Sequence, residues 1–398
     1  MTVDLITRVR NGDGEAFREL TDPYRRELRV HCYRILGSMQ DAEDALQETL
    51  VSAWQGLDGF QERSSVRTWL YRIATNRCLK VVRSAGRRPR TDGPVPGFDP
   101  PAPTRLGKVE WLEPYPDLLL EEQVDPAPGP GERYEAKETI SLAFVTAVQM
   151  LPPRQRAVLI LRDVLEFPTR EVAHIMDTTE QSVAGALKRA RTTLRQRPSP
   201  SAVPEPPPAN SAGERELITR FTQAFEIGDV DGLVALLTDD VWLTMPPLPL
   251  EYQGRDQAAR FHTAVTFRRG RTYRLVATRA NGQPAFGMYV PDPQSGICHA
   301  NGLMVLTLAG SRIRAMTRFE KSVLQSFRLP LTVPLEAGRS AGRDRSRVTS
   351  RKSRAVLLPV ASAAQAICTG SSSATSSPVR HWAGYSPDSV SESRSVVP

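Results

Sequence analysis

Apolar residues recur at helical spacing in two adjacent stretches of residues 169–197. The pattern predicts two short helices joined by a tight turn, with Asp177 in the turn because aspartate tolerates left-handed backbone. Thr178, followed three residues later by Gln181, is typical of a capping box and places the start of the second helix at about Thr179. The apolar positions are Val172, Ala173, Ile175 and Met176 in the first helix, and Val183, Ala186, Leu187, Ala190 and Leu194 in the second.

The second of these helices carries two kinds of residue on its outer side. Gln181, Ser182 and Gly185 lie near its start, and the basic Lys188 and Arg189 follow. In a DNA-binding helix-turn-helix, the first residues of the second helix meet base edges while cations lie near phosphates. The pattern therefore favours DNA binding, although an ordinary helical hairpin with a solvated basic face would share it.

Apolar periodicity also predicts successive helices within residues 1–90. One helix covers residues 15–36 and ends at Gly37, since glycine suits the left-handed end of a helix. The next covers residues 41–57, and a third covers residues 65–83. The middle helix has an acidic and polar outer face made of Asp41, Asp44, Gln47 and Glu48.

The third helix lies in a strongly basic segment. From Arg63 to Arg90 there are nine arginine or lysine residues and no acidic residue, with Trp69 and Tyr71 among them. Aromatic rings between cations favour single-stranded nucleic acid, because bases stack on rings while cations follow the backbone. The alternative is that the two rings are core anchors and the arginines form a solvated face.

Composition limits the class of protein. A chain of 398 residues should hold two or three domains, and a net charge of +8 suits an anionic partner. The four cysteines lack the spacing of a metal site or a disulfide framework, which indicates a reducing compartment. The sequence shows no apolar signal core and no stretch of membrane-spanning length. We therefore expect a cytoplasmic protein that uses no metal, cofactor or membrane.

Three segments have the composition of linkers or disordered chain. Residues 91–134 are dense in proline and glycine, and residues 110–135 hold eight acidic residues against one basic residue. An ordinary disordered spacer stays open as an interpretation of residues 91–108. Residues 198–212 are rich in proline and should be extended. Residues 336–398 contain fifteen serines and little periodicity, which predicts a disordered tail.

Residues 213–328 follow a different pattern, in which helices precede strands. The order predicts an α+β domain with helices packed on one face of a curved sheet, and turns at Asn281-Gly282 and Gly310-Ser311. Helices are expected at residues 214–227, 230–237 and 255–265, and strands at residues 239–245, 273–279, 285–290, 300–308 and 312–319.

Such a domain encloses a pocket that could be catalytic if a carboxylate or imidazole were held in it. Nothing in the sequence shows that any two candidate catalytic residues lie close together in the fold. A ligand sensor or a regulator is therefore favoured over an enzyme. The candidates are Asp239, Asp240, His262, His299 and Arg318, with Trp242, Met245 and Tyr289 as walls.

Three motifs, in this order and separation, resemble a known family. They are DAEDALQETLVSAW, SSVRTWLYRIATNRCL and LPPRQRAVLILRDVLEFPTREVAHIMDTTEQSVAGALKRAR. They look like regions 2 and 4 of the bacterial sigma-70 family, and more narrowly like its extracytoplasmic-function (ECF) group, which keeps only those regions. The resemblance covers roughly residues 5–90 and 135–197. It implies an all-α region 2 bundle at residues 1–90 and a region 4 helix-turn-helix at residues 135–197.

Two weaker resemblances concern the remaining chain. WLEPYPD, residues 111–117, looks like a motif of ECF members with an added C-terminal domain. In the family, the segment between regions 2 and 4 threads toward the active-site cleft of the polymerase. By its order of elements, the domain at residues 213–325 resembles the SnoaL-like, ketosteroid-isomerase-like cone fold, also described as cystatin-like.

The first resemblance implies a role for each helical surface. In the family, the helix matching residues 41–54 docks on the clamp helices of the largest polymerase subunit. The loop and helix matching residues 59–80 melt the −10 promoter element and capture a flipped base, and the helix matching residues 179–195 reads the −35 element. The residues carried over are Asp41, Asp44, Gln47 and Glu48 for the polymerase; Arg67, Trp69, Arg72, Asn76, Arg77 and Lys80 for the −10 element; and Gln181, Ser182, Gly185, Lys188 and Arg189 for the −35 element.

We therefore expect an ECF-type sigma factor, with core RNA polymerase and promoter DNA as partners, and no catalytic residue of its own. Its C-terminal domain is expected to regulate it, with a small-molecule ligand of that domain as a further candidate partner. The alternative is a cone-fold small-molecule enzyme tethered to a DNA-binding module.

Overall fold

The computed structural model describes residues 2–62, 64–85, 99–107, 112–121, 140–196 and 204–335. The predicted tail at residues 336–398 and much of the acidic segment lie outside these ranges. Within them, helices up to residue 196 precede an α+β domain, as the sequence predicts.

The helices of residues 2–85 form one bundle, and short polar residues cap them. The carboxylate of Asp13 accepts hydrogen bonds from two N–H groups at the start of the second helix, and Gly37 ends that helix with a φ of 74°. The hydroxyl of Ser38 caps the third helix. The bounds are Thr2–Arg10 for α1, Gly14–Leu36 for α2, Met39–Gly56 for α3 and Val66–Ala85 for α4.

Residues 140–196 contain the predicted helix-turn-helix. Asp177 has a φ of 50°, so the turn uses left-handed backbone as predicted. The predicted capping residue is wrong by one position, because Thr178 still belongs to the turn and Thr179 accepts from the N–H of Ser182. The bounds are Leu118–Glu121 for α5 in the linker, Leu142–Gln149 for α6, Pro153–Leu159 for α7 with a π turn at Ile160–Val164, Thr169–Ile175 for α8 and Glu180–Arg195 for α9.

The α+β domain is a curved sheet with helices on its inner face. Its strands follow the order β1-β3-β2-β7-β6-β5-β4, with β8 paired to β6. β2 and β7 are parallel, and the other pairs are antiparallel. The helices are α10 Ala212–Ile227, α11 Val230–Ala235 and α12 Arg255–Phe261, and the strands are β1 Arg105–Leu106, β2 Leu237–Met245, β3 Leu248–Gln253, β4 Arg274–Ala280, β5 Gln283–Asp292, β6 Ile297–Ala309, β7 Arg312–Phe319 and β8 Thr332–Pro334.

The sheet extends beyond the predicted domain of residues 213–328. β3 was not predicted, because Pro249 interrupts its strand pattern, and β8 lies past the predicted end. β1 comes from the predicted first linker and pairs with β3, where Arg105 also forms an ion pair with Glu251 at 2.6 Å. A disordered spacer is therefore the wrong interpretation of residues 99–107.

Both faces of the sheet are buried. On β6, Met304 and Leu306 belong to a core shared with the domain's own helices, whereas Leu303 and Val305 belong to the core of the helical region. Side chains alternate between the two faces of a strand, so one apolar run serves both cores. The α+β domain consequently packs on the helices of residues 2–196 through its outer face.

Candidate polymerase, promoter and regulatory surfaces

The outer face of α3 is open in this structure. Asp44, Gln47 and Glu48 are exposed, while Asp41 is half-buried. Val51 is 56% exposed and continues the same face, because residues three and four apart are neighbours on a helix. An apolar side chain among polar ones is the composition expected at the centre of a docking surface. Val51 is not among the residues predicted for this face, although it lies four residues after Gln47 and three after Glu48.

Helix α4 has one buried and one open face. Tyr71 and Thr75 are buried. Of the two rings, Trp69 and Tyr71, the second is therefore a core anchor, which agrees with the alternative interpretation of this segment. Trp69 is half-buried, and its ring centre lies 4.8 Å from that of Phe60. Asn76 and Lys80 are exposed, and half-buried Arg72 lies one turn before Asn76. The structure thus groups Arg72, Asn76 and Lys80 on one open face.

Two of the predicted DNA-binding cations on α4 already have protein partners. Arg67 forms a two-pronged ion pair with Glu27, and its guanidinium lies 4.6 Å from the centre of the Phe167 ring. Arg77 donates to the hydroxyl of Ser52 at 2.7 Å and lies 3.3 Å from a carboxylate oxygen on α3. The open face of α4 is therefore smaller than predicted, and Arg67 is not part of it.

The second helix of the helix-turn-helix, α9, presents its predicted DNA-binding side to solvent. Gln181, Ser182, Lys188 and Arg189 are exposed, and Gly185 is half-buried. The Arg189 guanidinium lies over Gly185, where a Cβ would meet it at 3.4 Å. The Ser182 hydroxyl is 2.9 Å from the capping hydroxyl of the same helix. All five candidates therefore share one helix face.

The helix-turn-helix rests against α4. The hydroxyl of Thr68 donates to a carboxylate oxygen of Glu171 on α8 at 2.8 Å. The rings of Tyr71 and Phe167 meet edge-on with centres 5.0 Å apart. A nucleic-acid strand cannot reach this part of α4 while those contacts exist. We call this contact between α4 and α8 the closed arrangement.

A buried arginine makes a second connection between the two helical units. Arg156 of α7 donates to the backbone carbonyl of Ile35, at the end of α2, and to both carbonyl oxygens of Gln149. The amide of Gln149 donates in turn to the carbonyl of Arg34 at 3.2 Å. The last carbonyls of a helix lack intrahelical partners and carry partial negative charge, so a guanidinium stabilises them. Burial lowers the pKa of Arg156 to about 10, which leaves it charged at neutral pH.

Asn281, in the hairpin turn between β4 and β5, contacts α2, the linker and the residue that precedes the helices of residues 141–196. Its side-chain N–H groups donate to the hydroxyl of Tyr33 on α2 at 2.9 Å and to the carbonyl of Ile140 at 2.7 Å. Its side-chain oxygen accepts from the N–H of Tyr115 in the linker at 2.7 Å, and its backbone N–H donates to the carbonyl of Tyr115. With a φ of 56°, Asn281 also supplies the left-handed turn that the sequence predicts.

The described part of the WLEPYPD motif binds both the helices and the sheet. The carboxylate of Glu113 accepts from Ser38 and from two N–H groups at the start of α3, with the backbone of Met39 at 2.8 Å. Asp117 accepts from the N–H of Gly282 at 2.8 Å and lies 3.5 Å from the guanidinium of Arg279. The motif therefore acts as a strap between α3 and the β4–β5 hairpin rather than as a spacer.

The α+β domain encloses a cavity of about 120 Å³. His262, Arg318 and Met245 line it, and of the predicted pocket residues only these three do so. Asp239, Asp240 and His299 lie elsewhere: Asp239 pairs with Arg255, Asp240 with Arg314, and His299 is 3.9 Å from Asp292. Trp242 and Tyr289, which were expected to be walls, are not in the lining: Trp242 packs under Arg105, and Tyr289 donates to the carbonyl of Pro330.

No group of three or more histidine, cysteine, aspartate or glutamate side chains in the described ranges could hold a metal ion. No helix there is long and apolar enough to cross a membrane.

Comparison with known proteins identifies the helical regions. The family model for sigma-70 region 2 matches residues 20–88, and that for sigma-70 region 4 matches residues 141–194. The ECF RNA polymerase sigma factor SigG of Mycobacterium tuberculosis (strain ATCC 25618 / H37Rv) is 41% identical over 326 residues, which cover 81% of this chain and 85% of SigG. The chain belongs to the ECF RNA polymerase sigma factors. The predicted resemblance is confirmed.

The similarity to other ECF sigma factors reaches past region 4. The 326 residues aligned with SigG exceed everything that precedes the end of region 4, so they include part of the α+β domain. SigJ of Mycobacterium tuberculosis is 27% identical over 252 residues, covering 62% of this chain and 72% of SigJ. The crystal structure of SigJ covers 78% of this chain and 98% of its own, at 21% identity and a TM-score of 0.49.

The candidate surfaces of this ECF sigma factor differ in accessibility. The predicted polymerase face of α3 and the predicted −35 face of α9 are open, with Glu48 and Lys188 among their exposed residues. The predicted −10 helix is covered over its first half by region 4, at Thr68 and Tyr71. The structure therefore leaves two of the predicted surfaces open and covers part of the third.

Proposed function

We propose that this ECF sigma factor is held in the closed arrangement by its C-terminal domain, and that opening uncovers the −10 helix. As a sigma factor, the chain binds core RNA polymerase, recognises −35 and −10 promoter elements and melts DNA for initiation. We assign polymerase binding to the α3 face around Glu48 and −35 recognition to the α9 face around Gln181. We assign −10 capture to α4 as a whole, which includes its open side around Asn76 and the first half that region 4 covers at Thr68 and Tyr71.

The hydrogen bonds of Asn281 carry the regulatory part of this proposal. They join Tyr33 of region 2, Tyr115 of the linker strap and Ile140 at the start of region 4 to the C-terminal domain. The surrounding groups fix the orientation of the amide, because an N–H must face the side-chain oxygen and a carbonyl must face the side-chain nitrogen. A buried network in which each member has a partner favours one arrangement over looser ones.

The experiment is to replace Asn281 with glycine and measure transcription with purified core polymerase. Glycine keeps the left-handed turn, so the hairpin should form normally while the side-chain bonds are lost. Three bonds at about 1 kcal/mol each would lower the preference for the closed arrangement by about 3 kcal/mol, roughly a hundredfold in the closed-to-open ratio. We expect transcription at limiting sigma concentration to rise several-fold.

Asn210→Gly is the matched control. Asn210 also has a positive φ, of 61°, and it is exposed, and its backbone N–H and carbonyl are hydrogen-bonded to Glu214 and Arg215. It therefore reports the effect of the same substitution on a left-handed turn without the network. Equal activity of Asn281→Gly and the unsubstituted chain, with region 2 still folded, would overturn the regulatory proposal.

The tethered-enzyme alternative has weaker support. Catalysis in a cone fold requires a general acid or base in the cavity, and the aspartates proposed for that role lie outside it, as Asp239 and Asp240 show. His262 is in the cavity, but burial lowers its pKa to about 4, so it is a poor proton acceptor near neutrality. We expect no turnover by this domain, and assays of the full chain against small hydroxylated and carbonyl substrates test this.

A further inference from the structure

The cavity of the C-terminal domain combines apolar walls with positive charge. Its apolar lining comes from β2, α12, β5 and β6 and includes Leu243, Phe261, Met288 and Met304. Two arginines, Arg271 and Arg318, line it as well, and no aspartate or glutamate does among the described lining residues. The cavity can therefore contact the apolar part of a ligand. Its two arginines have no acidic partner among the described lining residues.

Arg318 is positioned to hold an anion. Its Nη2 donates to the backbone carbonyl of Asn301 at 2.9 Å and to the side-chain oxygen of the same residue at 3.1 Å. These bonds fix one edge of the guanidinium and leave its other N–H groups for a ligand. Glu320, the acidic residue nearest in sequence, is exposed and outside the lining. Because the guanidinium of Arg318 is already held in place, less conformational entropy is lost when a ligand binds.

His262 supplies a second polar contact inside the same cavity. The side chain is 1% exposed, and its Nδ1 is 3.0 Å from the hydroxyl of Thr266. Its Nε2 is buried without a hydrogen-bond partner. A buried polar atom left unpaired is unfavourable, and a bound ligand that paired with it would remove that cost. His262 and Arg318 both line the cavity, so one ligand can contact both side chains.

We propose that this cavity binds a small monocarboxylic acid with an apolar body, its carboxylate on Arg318 and a polar contact from His262 Nε2. Size limits the class, because an apolar cavity of about 150 Å³ holds benzene and this one is somewhat smaller. Branched short-chain acids therefore fit the cavity as it stands, and benzoate, which is larger than benzene, fits when the three methionines in the lining move. Arg271 is exposed, so only Arg318 offers a half-buried site for a carboxylate, and a second charge deeper in the cavity would lie against apolar walls.

The test measures binding of benzoate to the full chain by isothermal titration calorimetry, with benzamide as the neutral analogue of the same shape. We expect one saturable benzoate site and at least tenfold weaker binding of benzamide. Arg318→Gln should weaken benzoate binding at least tenfold. His262→Gln should weaken it by a smaller factor, because it removes the ring while keeping a polar group.

Arg314→Gln is the matched control. Arg314 lies on the same strand, β7, but pairs with Asp240 at 3.5 Å and does not line the cavity. It should bind benzoate as the unsubstituted chain does. The proposal is overturned if benzamide binds as tightly as benzoate, or if neither compound binds at millimolar concentration. It is also overturned if the Arg318→Gln and Arg314→Gln variants bind benzoate equally. The calorimetry uses the chain without polymerase or promoter DNA. Its result can therefore fail while the proposed regulation of transcription holds, and the reverse.

Discussion

The side-chain amide of Asn281 donates to the hydroxyl oxygen of Tyr33 at 2.9 Å, joining residues 248 positions apart in the chain. The hydroxyl of Tyr33 donates onward to the carbonyl of Glu113 at 2.8 Å. Burial raises the pKa of Tyr33, so its proton stays in place over the physiological range. The hairpin, α2 and the linker strap are thus joined by consecutive hydrogen bonds that each need the others in position.

Val51 should contribute to polymerase binding through its exposed apolar side chain. Replacing it with serine removes that contact while keeping a residue that a helix tolerates. We expect the dissociation constant for core polymerase to rise about tenfold, equivalent to about 1.4 kcal/mol. Val3→Ser is the control, because Val3 is a 64% exposed valine on α1. Equal affinities of the two variants would exclude Val51 from the interface.

Asn76 should act in promoter melting rather than in polymerase binding. It is exposed on the open side of α4, between Arg72 and Lys80, where a flipped base could be held. Asn76→Ala should reduce permanganate reactivity of −10 thymines several-fold while the affinity for core polymerase stays unchanged. Asn11→Ala, which alters an exposed asparagine after α1, should leave both unchanged. Normal melting by Asn76→Ala would remove this residue from the −10 site.

Local pattern was enough to predict most helices, the β4–β5 turn and the change from helices to strands. It could not predict how one residue is used at long range. Asn281 was predicted as a turn residue, and nothing in its neighbourhood indicates that Tyr33 and Ile140 meet its amide. The same holds for Arg67, whose pairing with Glu27 depends on how α2 and α4 pack.

The apolar run of β6 indicates packing beyond its own domain. β6 carries the run GLMVLTLA, whereas an antiparallel strand with one wet face alternates apolar and polar residues. A continuous apolar run indicates burial on both faces, and Leu303 and Val305 do lie against the helical region. The cavity was less accessible to such reasoning, because His262 and Arg318 are 56 positions apart on different elements, and only the folded sheet brings them together.

Lys188 should contribute nonspecific affinity at the −35 element. It is exposed on α9 about two turns beyond the polar residues Gln181 and Ser182, so it is the better phosphate contact. Lys188→Ala should weaken holoenzyme binding to different promoters uniformly and lower the slope of log affinity against log salt by about one. Lys321→Ala, on the C-terminal domain, should leave the slope unchanged. A change in the preferred −35 sequence would contradict the assignment.

Two fully buried histidines should make the folded chain sensitive to mild acid. Burial lowers the pKa of His31 to about 3, with the charges of Arg34 and Arg67 adding to the effect, and burial lowers that of His262 to about 4. An unfolded histidine titrates near pH 6.5. The unfolded chain therefore binds more protons than the folded one below about pH 6.5, and stability must fall as the pH is lowered through that range.

For His31 the loss should approach about 1.4 kcal/mol per pH unit, or about 2 kcal/mol between pH 7 and pH 5. His31→Gln cannot be protonated, and its amide can still meet the hydroxyl of Thr75, which now lies 2.9 Å from the imidazole Nε2. We expect urea unfolding of this variant to show a loss between pH 7 and pH 5 that is smaller by about 2 kcal/mol. His174→Gln is the control, because His174 is exposed. If His31→Gln and the unsubstituted chain lose equal stability over that range, His31 must be protonated in the folded chain at pH 5, and its contact with Thr75 cannot depend on a neutral ring.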